Sequence, residues 1–281
     1  MRETADEFLD DLVDDGGPID LVSGFTDPFP VRTMCELTGI PSSDADSFTA
    51  FARALLFSLD LDGEEEVPER LRDLVTGWVT YKRRTPGDDV LTELVARRDA
   101  GELHDRDLLN FGRSMVIAGF AFNSMFLANA VLTLLSHPDQ LALLRADPGL
   151  LPGAVEELLR FLPVLNGNVF LQPTEEISVR GQRIGAGELV LPVLASANRD
   201  ESVFREADRF DITRKHNPHL AFGRGKHNCL GAHFTRAQFT VALQALLERF
   251  QAPRLAVERH ELPWPDRKRK FTSPLALPIT W

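Results

Sequence analysis

The chain has 281 residues, 43% of them hydrophobic, which is enough for one large domain or two small ones around a substantial core. Its 31 basic and 42 acidic residues leave a net charge of −11, which argues against general nucleic-acid binding. No signal-peptide pattern stands at Met1-Arg2-Glu3-Thr4, no apolar run reads as long enough to span a bilayer, and two cysteines, Cys35 and Cys229, make no disulfide framework. A reducing cytoplasm without membrane attachment is the expected setting.

The first half reads as nearly all helix. Thr4 to Val13 is amphipathic, with Phe8, Leu9, Leu12 and Val13 on one side, and stops at Gly16-Gly17-Pro18. Ile19 to Val22 is a short strand candidate, and Phe29 to Leu37 a helix ended by Gly39 and Pro41. Ser42-Ser43-Asp44 is a capping cluster for a helix through Leu59, followed by an acidic solvated stretch from Asp60 to Glu66. Pro68 to Arg84 is helical, and Thr85-Pro86-Gly87-Asp88-Asp89 breaks the chain and caps a helix from Val90 to Ala100.

From Asp105 to Ser136 the apolar run is unusually long and holds Gly112 and Gly119 without a break. Shorter helices follow from His137-Pro138-Asp139 to Ala146 and from Pro152 to Phe161. The pattern then turns to short strands at 177–179, 183–184 and 189–191, and to loops from Ala197 to His216. A helix from Ala232 to Phe250 and two or three strands between Leu255 and Trp281 complete the chain. Mostly helical stretches (1–165, 230–250) and strand-rich ones (168–192, 254–281) are expected to form a single domain.

Chemistry concentrates in His219-Leu-Ala-Phe222-Gly223-Arg224-Gly225-Lys226-His227-Asn-Cys229-Leu-Gly231, just before that last helix. Glycines suit a tight loop pressed against a flat ligand. A cysteine beside a helix N-terminus favours the thiolate, and a thiolate is a good axial ligand for haem iron. The phrase Phe-Gly-x-Gly-x-His-x-Cys-x-Gly resembles the haem-ligand loop of the cytochrome P-450 superfamily, with Phe222, Gly223, Gly225 and Gly231 as its frame. The order of elements resembles the bacterial soluble branch over essentially the whole sequence.

The resemblance implies a mainly α fold with small β-sheets, haem b held by Cys229, and propionate contacts at His219 and His227. It implies a structural ion-pair cluster in Glu157-Leu-Leu-Arg160 joined by Arg209, since a three-residue helical spacing puts acid and base on one face. It implies an apolar small-molecule substrate, and a ferredoxin steered by Arg224 and Lys226.

Three departures stand out. By resemblance, Thr4 falls partway through the usual chain, so an N-terminally truncated fold is expected, its open wall covered by a homodimer or a partner protein or left open to water. The distal motif, Ala/Gly-Gly-x-Asp/Glu-Thr in the family, reads Ala118-Gly119-Phe120-Ala121-Phe122-Asn123 here. Ala121 stands for the acid and Phe122 for the alcohol that deliver protons to bound dioxygen, and neither side chain relays one. Phe120, Phe122 and Phe126 either line the distal pocket or fill a core. Finally, Leu171 occupies the place of a propionate-binding arginine.

Three functional readings follow: an atypical haem-thiolate catalyst of bacterial secondary metabolism, unsuited to ordinary monooxygenation; a haem-free protein whose vacated pocket binds or cyclises a substrate; or a non-catalytic helper of another enzyme, such as a glycosyltransferase. The basic run Arg267-Lys268-Arg269-Lys270 reads as a solvated hairpin tip. His104, His137, His216, His233 and His260 have no metal-ligand spacing.

Overall fold

The computed structural model describes residues 1–14, 16–41, 69–162, 170–265 and 273–281. The helix expected after Ser42, the acidic stretch to Glu66 and the basic run at 267–270 lie outside the described residues. Helices dominate, with small sheets at the ends and in the middle of the chain. Residue contacts group the chain into two units, one from Met1–Ser136, His233–Pro265 and Ser273–Trp281, the other containing His137–Ala232.

In the first unit, α1 (Arg2–Asp14) buries Thr4, Ala5 and Leu9. The expected strand is only β1 (Ile19–Asp20). Its arrest has a local cause: the Asp20 carboxylate accepts from the amides of Val22 (3.0 Å) and Ser23 (3.3 Å), which turns the chain into one wide π turn, Val22–Thr26. The same carboxylate accepts from the Leu277 amide at 2.7 Å, tying the turn to the chain's far end. There β5 (Pro278–Thr280) lies between β1 and β4 (Arg254–Leu255), antiparallel to both, with Ile19 opposite Ile279.

Helix α2 (Pro28–Thr38) starts on a proline that needs no N–H partner and ends on Gly39 in the left-handed region (φ +79°). It packs with α3 (Glu69–Arg84), α4 (Val90–Asp99) and α5 (Asp105–Ser114) in a core containing Val31, Cys35, Trp78, Leu91 and Val95. The long apolar run forms α5, a π segment at Met115–Ala121, and α6 (Phe122–Ser136) without interruption. Contrary to the sequence expectation, one stretch, Ala118–Ser136, is long and apolar enough to cross a membrane. Most of it is buried inside the protein, as a core helix is. Its Phe126 stacks on Phe239 of α10 (Ala232–Arg249), with ring centroids 4.1 Å apart.

The second unit has α7 (Pro138–Ala146), α8 (Leu151–Phe161) and a hairpin of β2 (Ile177–Val179) and β3 (Gln182–Ile184). Arg180 and Gly181, both with positive φ, make the two-residue turn whose twist suits a hairpin. The third expected strand is a single bridge between Leu171 and Val190. A short α9 (Leu194–Ala197) leads into loops that run to Ala232.

One buried ion pair organises the α2–α3–α4 junction. Lys82 Nζ donates to Asp89 Oδ2 at 2.6 Å, and both side chains are less than a tenth exposed. Asp89 also caps α4 by accepting from the Thr92 amide, and it lies directly beneath Gly39, where any Cβ would strike its carboxyl. Burial pushes the Asp89 carboxyl up, but Lys82 and Thr92 outweigh it and hold it below the usual carboxylate range. Its contribution is therefore present above that range and lost as pH falls through the folded-state value. Asp89→Ala strands a buried ammonium and is expected to cost about 3–5 kcal/mol in urea unfolding. The parent should lose stability as pH drops below about 4.

Candidate functional site

The cysteine loop is shaped by its own backbone. Gly223 (φ +69°) and Gly225 (φ +90°) are left-handed, and open space surrounds the Cβ position of each, so backbone conformation rather than crowding requires glycine. The Gly223 amide donates to Leu220 O (2.9 Å), Asn228 to Gly225 O (3.1 Å) and Cys229 to Phe222 O (2.9 Å). The Ala232 amide donates to Cys229 O at 3.3 Å, so the cysteine leads straight into the first turn of α10. Gly231, outside the left-handed set, is the residue before that helix.

The Cys229 thiol is exposed, whereas Cys35 is buried in the first unit's core. Leu230 beside it is 97% exposed, and Phe222 is half-buried. A lone soft sulfur with apolar neighbours on a glycine-flattened loop fits a planar apolar macrocycle that brings its own equatorial donors. Among the described residues no group of three or more His, Cys, Asp or Glu side chains could hold a metal ion.

The propionate expectations fare differently. His227 is exposed on the loop, with Arg224 and Lys226 on either side of Gly225. His219 is placed otherwise: its ring Nε2 lies 3.0 Å from Glu156 Oε2, its Nδ1 accepts from the Ala221 amide at 3.2 Å, and the side chain is 3% exposed. Both ring nitrogens are thereby committed to protein partners, with Nε2–H the tautomer that satisfies both contacts. Leu171 is half-exposed in its bridge with Val190.

Behind the loop lies a fully buried bidentate pair. Arg160 Nε and Nη2 donate to Glu157 Oε2 and Oε1, each at 2.8 Å, and neither side chain has any exposure. Arg160 Nη1 also donates to the carbonyls of Asn198 (2.8 Å) and Ala207 (2.7 Å), and Nη2 to that of Arg209 (3.1 Å). Glu157 accepts from the Asp211 amide, the Asn217 amide group and Arg214 Nε.

The second guanidinium of the cluster is thus Arg214, not Arg209. The Arg209 side chain is more than half exposed and pairs with Glu206 across 3.7 Å, while only its carbonyl serves the cluster. The side chain of a residue in a coil points where the local backbone sends it, and spacing from Glu157 carries no information on that. Asn198, Asn217 and Glu156 were likewise missed, because polar residues scattered through loops give no periodic signal.

In the first unit, the helix from Asp105 to Ser136 divides the distal residues. Ala118 is exposed and Phe122 half-buried, one turn apart on one face. Phe120 (1% exposed) and Ala121 (0%) belong to the core with Val31, Cys35 and Trp78, and Phe126 is buried against Phe239. Phe120 and Phe126 are core residues, not pocket walls. Gly119 is buried against Met34, whose Cε would lie 2.9 Å from any added Cβ. Asn123 is buried with its amide donating to Gly119 O at 2.9 Å.

A family model described as Cytochrome P450 matches residues 65–264, which takes in α3 to α10 and the whole cysteine loop. The chain belongs to the cytochrome P450 family. The Nocardicin C N-oxygenase of Nocardia uniformis subsp. tsuyamanensis is 40% identical, over all of this chain and 71% of its own length. The Mycinamicin IV hydroxylase/epoxidase of Micromonospora griseorubida is 37% identical over the same shares. A solved structure of the putative thioether synthase SgvP, from the tailoring step of griseoviridin, superposes with a TM-score of 0.92 at 36% identity, covering 100% of this chain and 72% of its own. P450 membership implies haem, and the cysteine that would hold it is Cys229.

Two substitutions separate frame from surface. Arg214→Ala is expected to destabilise by about 3 kcal/mol, by leaving Glu157 short of a buried cationic partner, while Arg209→Ala stays within about 0.5 kcal/mol. Chemical unfolding of both variants checks this. Ala121→Asp should cost about 3 kcal/mol or more, because it places a carboxyl without a built partner in an apolar core.

Proposed function

We propose that this P450 is a haem-thiolate catalyst acting on an apolar small molecule in bacterial secondary metabolism, by a route other than ordinary dioxygen-dependent monooxygenation. The observation that carries the second part is the distal motif. At the position of the family's acid stands Ala121, sealed in the core, and at that of the alcohol stands Phe122. The motif's one remaining amide, Asn123, is turned back on the Gly119 carbonyl. No side chain from Ala118 to Asn123 offers a proton that could be transferred.

Haem, when bound, would supply the redox-active iron, and Cys229 would hold it on the glycine-bent loop, with Phe222 and Leu230 as apolar neighbours. Peroxide as oxidant, or a reaction needing no activation of dioxygen, suits a site that delivers no protons. The named roles of the relatives, an N-oxygenase, a hydroxylase/epoxidase and a putative thioether synthase, support a place in natural-product tailoring. In a reaction that draws electrons rather than peroxide, a ferredoxin would meet the exposed Arg224 and Lys226, and the setting is cytoplasmic.

A haem-free reading has one specific support. His219 is committed to Glu156 and Ala221, and Leu171 stands where an arginine is usual, so His227 is left as the main propionate contact. The pocket imagined for that reading is nevertheless poorer than its sequence promised, since Phe120 and Phe126 are core.

The deciding experiment is the visible spectrum of the purified, haem-supplemented protein, reduced and exposed to carbon monoxide. A red-shifted thiolate-type Soret band, lost in Cys229→Ala, is expected. A protein that takes up no haem would sink the proposal. With haem bound, turnover should run on peroxide and gain little from a ferredoxin and reductase. Efficient dioxygen-dependent hydroxylation would overturn the atypical route.

A further inference from the structure

We propose that Asn198 is a positioning residue that couples the buried Glu157–Arg160 pair to the cysteine loop. Asn198 closes α9, where its amide donates to Leu194 O at 2.8 Å. Its side chain has no exposure. It faces two ways: the main-chain carbonyl accepts from Arg160 Nη1 at 2.8 Å, and the side-chain Oδ1 accepts from the Leu220 amide, also at 2.8 Å.

Leu220 is where the loop begins to turn. Its carbonyl accepts from Gly223, and two residues on, the Phe222 carbonyl accepts from Cys229. The links therefore run Glu157, Arg160, Asn198, Leu220, then through the glycine turn to the cysteine. Each bond from Arg160 to Leu220 is buried or half-buried, where a hydrogen bond competes little with water.

The neighbouring residue is held from the same helix, since His219 lies against Glu156, next in sequence to Glu157. Two consecutive residues at the loop's entry are thus fastened to residues of α8 one turn apart, His219 directly to Glu156 and Leu220 through Asn198 to Arg160. The far end of the Asn198 amide supports the assignment. Its Nδ2 has no hydrogen-bond partner among the described residues, so the bond it makes to the loop is through the oxygen alone. The oxygen that receives Leu220 is what the amide contributes.

The inference rests on the haem-thiolate reading for what the loop holds, but not for the bond itself. It is tested in the full chain by hydrogen exchange over residues 219–229. Asn198→Leu removes the acceptor, Asn198→Asp keeps an oxygen toward Leu220, and Leu127→Ala serves as a control of general core damage in α6. Asn198→Leu should speed exchange in 219–229 at least tenfold relative to the control, with α10 from Gln238 to Leu246 unchanged, and Asn198→Asp should restore most of the protection. In the haem-supplemented protein, the carbon monoxide complex of Asn198→Leu should shift from the thiolate-ligated toward the thiol-ligated band.

Exchange in Asn198→Leu no faster than in Leu127→Ala would overturn the coupling. So would failure of Asn198→Leu and Asn198→Ala to fold while Leu127→Ala folds, which would make Asn198 a general folding residue. A parent protein that binds no haem leaves the exchange result standing and fails only the proposed function.

Discussion

The interaction on which the second unit depends is the fully buried Glu157–Arg160 pair. Two opposite charges without exposure are expensive to desolvate, and they persist only where the remaining donors and acceptors are matched. Here the matching comes from loops rather than from helices or sheets. Carbonyls of Asn198, Ala207 and Arg209 surround the guanidinium, and Asp211, Arg214 and Asn217 surround the carboxylate. A stretch with few regular backbone bonds of its own is thereby given a fixed shape by one ion pair on α8. Phe161 and Phe204 bring their rings within 6 Å of the guanidinium and keep the surroundings dry. The cysteine loop needs a constant sulfur position, and it is continuous in sequence with this fastened region.

The distal helix shows the opposite economy. The stretch from Phe120 to Asn123 is a packing element. Phe120 and Ala121 complete a core of aliphatic and aromatic side chains, and Asn123 satisfies a backbone carbonyl of its own helix. The neighbourhood of Ala121 is complementary to a methyl group, which makes a carboxyl at this position thermodynamically costly.

Much of this was legible in the sequence. Helix ends followed from Gly39, Asp89 and Pro138, because proline, glycine and acidic caps have local physical reasons to sit where they do, though Pro28, which opens α2, was passed over. The cysteine loop was legible because positive-φ glycines and a thiol before a helix form a short, order-dependent phrase. What escaped was directional. Spacing could not say that the side chain of Arg209 turns outward while that of Arg214 turns in, nor that His219 spends both ring nitrogens on Glu156 and Ala221. It also missed that Asp20 would cut the first strand to two residues by capturing the Val22 amide. Such choices are settled by which unpaired backbone group lies nearby, a fact that exists only in three dimensions.

The π segment at Met115–Ala121 has a consequence for alignment itself. A π turn takes up one residue more than an α turn, so it acts as an insertion absorbed inside a helix. Each residue in an α-helix advances about 100° around the axis. Removing one residue from this stretch would let the ladder revert to ordinary turns, and everything on one side would rotate by that angle against the other. Leu108 of α5 and Phe126 of α6, both now buried, could not both keep their places. The helix therefore carries a phase as well as a composition. Comparing its motif with a relative's is meaningful only where the two share that extra residue.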